Sequence, residues 1–251
     1  MNNIFNQNFK LVNLNLTSFK TNNLENMRSM FFECNNLESV DLSSFNTEKV
    51  TDMFYLFYDC YNLKRIDIQN FNTSNVYRVS SLFYGCRSLE SIDLSNMDTS
   101  NMISMSGMFR GCYNLNSLNL ENFDTSRAND ISNMFANCKK LTFLNLSNFD
   151  TSNVEQMFSL FMGCSSLTSV DISNFDTSFV LNIHNMFSEC PKLEFLNITH
   201  FVFDFDFIEN YYDMFEGDSS LHLVIKSDLY YDIILQNEYL YEIYENITIV
   251  N

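Results

Sequence analysis

Seven cysteines stand at Cys34, Cys60, Cys86, Cys112, Cys138, Cys164 and Cys190, each 26 residues after the last. A thiol can act as nucleophile, metal ligand or half of a disulfide. Without a C-x-x-C pair to bring two sulfurs to one ion, a metal site is not expected from them. Of the three histidines, His184 falls on an exposed slot of the repeat, and the cysteines are ladder residues rather than activated nucleophiles. Five glycines form no phosphate-cradling loop. The residues therefore point to no enzyme and no cofactor. A second row, Asn15, Asp41, Asp67, Asp93, Asn119, Asn145, Asp171 and Asn197, recurs at the same interval. Its successive carboxylates repel unless a proton, Arg65, a cation such as calcium or a ladder of side-chain hydrogen bonds relieves them.

Spacing this regular marks a solenoid, and the elements follow from it. With Leu11 as slot 1, leucine recurs at Leu37, Leu63, Leu89, Leu115, Leu141, Leu167 and Leu193, then at Leu221 after a two-residue insertion within "FVFDFDFIEN". Slots 1, 4 and 6 are aliphatic, and slot 9 is Phe except at Met97. The L-x-x-L-x-L alternation predicts a short strand with one wet face. Asp-Thr-Ser, as at Asp150, Thr151 and Ser152, then offers oxygens to the free amides that open a helix. Val154, Met157, Leu160, Phe161 and Cys164 follow at spacings that place them on one helical face. A Gly, Asn or Asp before the cysteine, as at Gly85, Gly111, Asn137 and Gly163, suits a left-handed residue ending that helix. Each unit thus reads as strand, turn, helix, turn. No unit buries both faces alone, so neighbours stack and the core is a set of columns.

Units such as "LESVDLSSFNTEKVTDMFYLFYDCYN" and "LTSVDISNFDTSFVLNIHNMFSECPK" resemble the BspA-type leucine-rich repeats of bacterial and protist surface proteins, including the lipoprotein repeat with its "FDTSNV…M..MF.GC" core. The likeness covers residues 11–220. It implies an α/β repeat fold, a right-handed leucine-rich-repeat solenoid of eight 26-residue coils with a parallel sheet. It also implies no enzymatic activity and a surface role in adhesion or in binding protein or glycan partners. The start "MNNIFNQNFKLVNLNL" lacks the pattern of a signal peptide.

Residues 1–10 read as a thin N-terminal cap and 221–251 as a C-terminal cap of strand, helix and strand, from "LHLVIK", the Asp-initiated "SDLYYDIILQNEYLYEIY" and "NITIV". With 31 acidic and 14 basic residues the net charge is −17, which disfavours nucleic acid and anionic membrane surfaces as partners. No apolar run is long enough for direct membrane insertion. Asparagine, about one residue in seven, reads as compositional bias. The cysteines close the apolar face of each unit and are expected as a buried column of free thiols, compatible with a reducing compartment. Stacked helices lie nearer 10 Å than 5 Å apart, beyond the roughly 7 Å a disulfide permits between Cα atoms.

The wet strand face is the one surface presented in register by every unit. Asp41, Asp67, Asp93, Asp171 and Arg65 supply polar groups there, and Phe143 and Phe195 in slot 3 supply apolar anchors. A rival surface is the outer helix face, where Phe54, Tyr55, Tyr58, Phe158 and Met162 are expected to point outward and support self-assembly.

Overall fold

The computed structural model describes residues 3–203, 208–234 and 245–251, with backbone alone for 231–234. The chain winds as a parallel β-solenoid whose successive coils are hydrogen-bonded to one another on two sides. On the first side lie β1 (Asn13–Asn15), β2 (Ser39–Asp41), β3 (Phe143–Asn145), β4 (Ser169–Asp171), β5 (Phe195–Asn197) and β6 (His222–Lys226). After β6 come α1 (Ser227–Ile234) and β7 (Ile247–Val250). All pairings are parallel: β1 with β2, β3 with β4, and β5 with β6 with β7. The equivalent residues 65–67, 91–93 and 117–119 carry the same pattern without strand pairing. There the carbonyl of Asp93, equivalent to the Asp41 carbonyl that accepts from Leu16 N at 3.3 Å, accepts instead from Gln69 Nε2 at 3.1 Å.

The second side corrects the helix expectation. A parallel ladder of single bridges runs from Asn26 to Asp52, Arg78, Ser104, Asp130, Gln156, Asn182 and Asn210. The segment after each bridge is a chain of turns, not a helix. In 27–34, the amides of Met27, Ser29, Phe31 and Glu33 donate to Asp52, Phe54, Leu56 and Tyr58 of the next coil, at 2.7 to 3.0 Å. The alternate amides of Met30, Phe32 and Cys34 donate three residues back, to Met27, Ser29 and Phe31. Left-handed residues stand four apart, Ser29 with Glu33, Gly107 with Gly111, Asn133 with Asn137, Ser159 with Gly163. Each of these but Ser159 is the third residue of a turn closed by an i to i+3 bond, as in type II.

The physical reason is competition for the amides. An isolated helix of two turns is unstable in water, whereas a neighbouring coil at strand spacing offers half of these amides a carbonyl. The columns at the left-handed positions are rich in Gly, Asn, Asp and Ser, which tolerate that conformation and favour helices poorly. The residue before the cysteine is left-handed as the sequence suggests, at Gly85, Gly111, Asn137 and Gly163. It closes a turn.

Burial follows the apolar columns regardless. Val154, Met157, Leu160, Phe161 and Cys164 are all fully buried. A column of phenylalanines, Phe5, Phe31, Phe57, Phe83, Phe109, Phe135, Phe161, Phe187 and Phe215, stacks ring on ring at 5.2 to 6.1 Å between centroids. Phe5 belongs to it because residues 3–8 repeat the turn segment: the amides of Asn3, Phe5 and Gln7 donate to Arg28, Met30 and Phe32.

Polar columns hold the coils in register. All seven cysteines are buried free thiols, and each Sγ donates to a carbonyl 29 residues earlier, from Cys34 to Phe5 through Cys190 to Phe161, at 2.9 to 3.2 Å. Their separation is not that of packed helices. Coils bonded as strands lie roughly 4.8 Å apart, so distance does not exclude a disulfide; each thiol is engaged with a carbonyl. Burial raises the pKa of these thiols, that of Cys60, Cys86, Cys138 and Cys190 well above its ordinary value and that of Cys164 to about 12. Buried threonines form a second column: Thr151 Oγ1 donates to Asp176 O at 2.9 Å and accepts from Asp176 N at 2.7 Å. The Asp-Thr-Ser aspartate accepts from the amide two residues on, as Asp150 does from Ser152 N at 3.0 Å. It caps a corner with no helix behind it. The asparagines have structural work too: Asn70, Asn96, Asn122, Asn148 and Asn174 donate from Nδ2 to carbonyls of the preceding coil.

Candidate functional site

Alternation along each strand sends slots 4 and 6 inward and presents slots 3 and 5 to solvent. Leu144 is buried between exposed Phe143 and Asn145, and Leu196 between exposed Phe195 and Asn197. The candidate residues separate into two clefts on this face. Toward the N-terminus, Asp41, Arg65 and Asp67 join Asn13 and Ser39 around an open cleft of about 600 Å3. Its floor is ordered by Ser39 Oγ donating to Asn13 Oδ1 at 2.6 Å, and beside it Lys64 pairs with Glu38 at 2.8 Å.

Toward the C-terminus, Phe143, Asp171 and Phe195 line a second cleft of about 260 Å3 with Ser169 and His200. The two phenylalanines are each 53% exposed and flank Ser169 two coils apart, roughly 10 Å at strand spacing. Asp93 belongs to neither cleft. It lies with Gln69 at the unpaired stretch between β2 and β3.

The carboxylate row resolves its repulsion by hydrogen bonding. Asp41, Asp67, Asp93 and Asp171 each accept from the amide two residues on, at 3.0 to 3.1 Å. The Ser43 hydroxyl and amide hold Asp41 below the usual carboxylate range, and the Ser95 amide and hydroxyl do so for Asp93. These side chains thus form corners of the fold while keeping outward lone pairs. Among the described residues no group of three or more His, Cys, Asp or Glu is placed to hold a metal ion.

Two residues of this face escape slot counting. His200 occupies the column of Asn148 and Asn174, and its Nε2 donates to Ile172 O at 3.0 Å, which fixes the tautomer; burial holds its pKa below the ordinary value. That signal was readable in the column. His222 was not readable, because β6 pairs Phe195 with His222 and Leu196 with Leu223 at a spacing of 27, one more than the 26 of the β1–β2 and β3–β4 pairs and one short of the 28 that separates Leu193 from Leu221. His222 therefore extends the aromatic row beside Phe195, ring centroids 5.8 Å apart, and its Nε2 lies 2.9 Å from Thr248 Oγ1 of β7.

The rival outer surface differs from expectation. Phe54, Tyr55, Tyr58, Phe158 and Met162 are turn residues, each half-buried. Tyr58 stacks between Phe32 at 4.9 Å and Tyr84 at 4.3 Å, Tyr55 tilts against both Phe32 and Tyr58, and Phe158 stacks on His184 at 5.1 Å. Much of their area is spent between coils.

The family model described as "Mycoplasma protein of unknown function, DUF285" matches residues 1–117, 61–144 and 103–228. The chain belongs to this family. No curated protein matches it in sequence. Among solved structures it is similar to a leucine-rich-repeat protein of T. pallidum, at 16% identity over 92% of this chain and 86% of that one, TM-score 0.45. It is also similar to a leucine-rich cell surface protein from Faecalibacterium prausnitzii A2-165, at 15% identity over 100% and 82%, TM-score 0.34. A leucine-rich-repeat protein from Bacteroides ovatus ATCC 8483 gives 15% identity over 98% and 85%, TM-score 0.31. With scores this low, the architecture rests on the chain's own hydrogen-bond ladders. Among the described residues no helix is long and apolar enough to cross a membrane.

Proposed function

We propose that the chain is a non-enzymatic recognition protein that binds a protein or glycan partner at a cell surface through its strand face, centred on the Phe143–Asp171–Phe195 cleft. The observation that carries this reading is the pair of phenylalanines, each 53% exposed, flanking a cleft that also contains Asp171 and His200. Exposed aromatics beside fixed polar groups supply apolar area together with orientation. The resemblance to BspA-type surface repeats supports the same reading. So does the rigidity of a face whose side chains are held in register by coil-to-coil hydrogen bonds, which lowers the ordering cost of binding.

The test is capture of partners from the source organism and its surroundings, followed by affinity measurement on the strongest. Phe143→Ala with Phe195→Ala weakens binding by more than about ten-fold, or about 1.4 kcal/mol, and Asp93→Asn, outside the cleft, leaves it unchanged. Unaltered affinity in the double variant refutes the placement. Light scattering that grows with concentration, together with loss of binding on Phe54→Ser, gives the lead to self-assembly through the turn face.

A further inference from the structure

A groove distinct from the strand face lies over the residues that precede the cysteines of two consecutive coils, Gly85 and Gly111. Glu33, Asp59, Asn137 and Glu189 carry side chains at this position; Gly163 and Gly217 also lack one, but Gly85 and Gly111 stand in consecutive coils, where the Asp59 carboxylate leans over Gly85 and the space over Gly111 stays open. A cleft of about 210 Å3 results, with Asp59 and Asn137 among its lining residues. Cation and ring pairs line it. Arg87 sits over the rings of Tyr61 at 4.0 Å and Tyr113 at 5.4 Å. Arg110 sits 5.7 Å from the Tyr84 ring and donates from Nη1 to Asn133 Oδ1.

Charge makes the groove unusual. The chain carries −17 overall, yet two guanidiniums line this cleft, and Lys139 lies 4.8 Å from the Tyr113 ring. The ion pairs within 4.0 Å among the described residues are Lys64–Glu38 and Arg78–Asp52, so neither Arg87 nor Arg110 is neutralised at contact distance. The tyrosine rings restrict the guanidiniums, whose N–H groups are the planar match for a carboxylate. Asp59, whose Oδ1 lies over Gly85 and whose carboxylate feels the charge of Arg87, needs a ligand that also brings hydroxyl donors. A bare anion would only be repelled by it, and an acidic peptide side chain offers it no donor.

We propose that the groove over Gly85 and Gly111 binds a polyhydroxylated carboxylate, an acidic sugar of the hexuronate kind, with Arg87 and Arg110 on the carboxylate and Asp59 and Asn137 on the hydroxyls. The volume suits one sugar ring. The site is independent of the strand-face reading, and either can fail alone.

The experiment is calorimetric or NMR titration of the full chain with sodium glucuronate, against glucose, sodium glutamate and inorganic phosphate. Glucuronate binds at least about ten-fold more tightly than each of the three, Arg87→Gln removes that preference, and Phe143→Ala with Phe195→Ala does not. Gly111→Asn is the second variant: a Cβ there meets only ordinary contacts, the nearest being Gly85 Cα at 3.5 Å, and asparagine tolerates the left-handed backbone, so it fills the groove with both arginines kept. It also abolishes binding. Glucuronate no tighter than glucose, glutamate or phosphate overturns the proposal, as does binding that survives both Arg87→Gln and Gly111→Asn.

Discussion

Replacing Thr151 by Val tests whether the buried threonine column holds the coils in register. The side chain is 1% exposed, donates to Asp176 O at 2.9 Å and accepts from Asp176 N at 2.7 Å. Valine matches its shape closely, so no cavity term enters. What is lost is one donor and one acceptor in a partly buried position, which leaves both the amide and the carbonyl of Asp176 without that partner. Each lost bond costs about 1 kcal/mol, and an unsatisfied buried group raises that to between about 1 and 3 kcal/mol. The expected loss is about 2 to 4 kcal/mol, lowering the thermal midpoint by roughly 5 to 15 °C in a chain of this size. Thr151→Ser keeps both bonds and loses one methyl, for about 1 kcal/mol. Urea unfolding followed by far-UV circular dichroism reads both variants. A Thr151→Val loss under about 0.5 kcal/mol, or equal to that of Thr151→Ser, refutes the argument.

Asp218 stands where other coils carry a cysteine; it is 2% exposed, accepts from Cys190 N at 2.6 Å, and has Oδ2 without a partner. Burial raises its carboxyl from 3.8 to about 8. The folded state keeps this proton after the unfolded state has lost it, so the group's effect on stability is a loss that grows as pH rises from about 4 to about 8. The loss is a few kcal/mol, and Asp218→Asn abolishes the slope and stabilises the chain at pH 8; equal pH profiles for the two proteins in denaturant titrations would count against this. Reagent labelling of the thiols is expected to be slow and incomplete in the native state and to reach seven equivalents on denaturation, whereas rapid stoichiometric labelling of the native chain contradicts the buried column.

The 26-residue period and the inward slots of the repeated coils were legible from the residues alone, whereas Phe5, read as part of a cap, and Leu223, which slot counting puts on the wet face, were not. Stacking repeats must bury the same slots whatever local conformation joins them. That is why Val154, Met157, Leu160, Phe161 and Cys164 were correctly read as one inward set though they lie on no helix. The left-handed residue before the cysteine was legible from Gly85, Gly111 and Gly163 because only a few residue types tolerate that backbone.

The conformation between those slots was decided by the neighbouring coil. A spacing of three and four suits a helix and equally a run of turns, and the choice depends on whether an amide finds its carbonyl four residues back or across the stack, which a single unit does not contain. The same holds for the sites. Phe143, Asp171 and Phe195 come from consecutive repeats and could be aligned by counting. His222 entered the row only through a register shift at β6. The groove over Gly85 and Gly111 exists because glycines stand side by side in two coils while Arg87 and Arg110 line the cleft that remains. That arrangement is a relation among three coils and between two columns, and it takes shape only when the coils are brought to strand spacing.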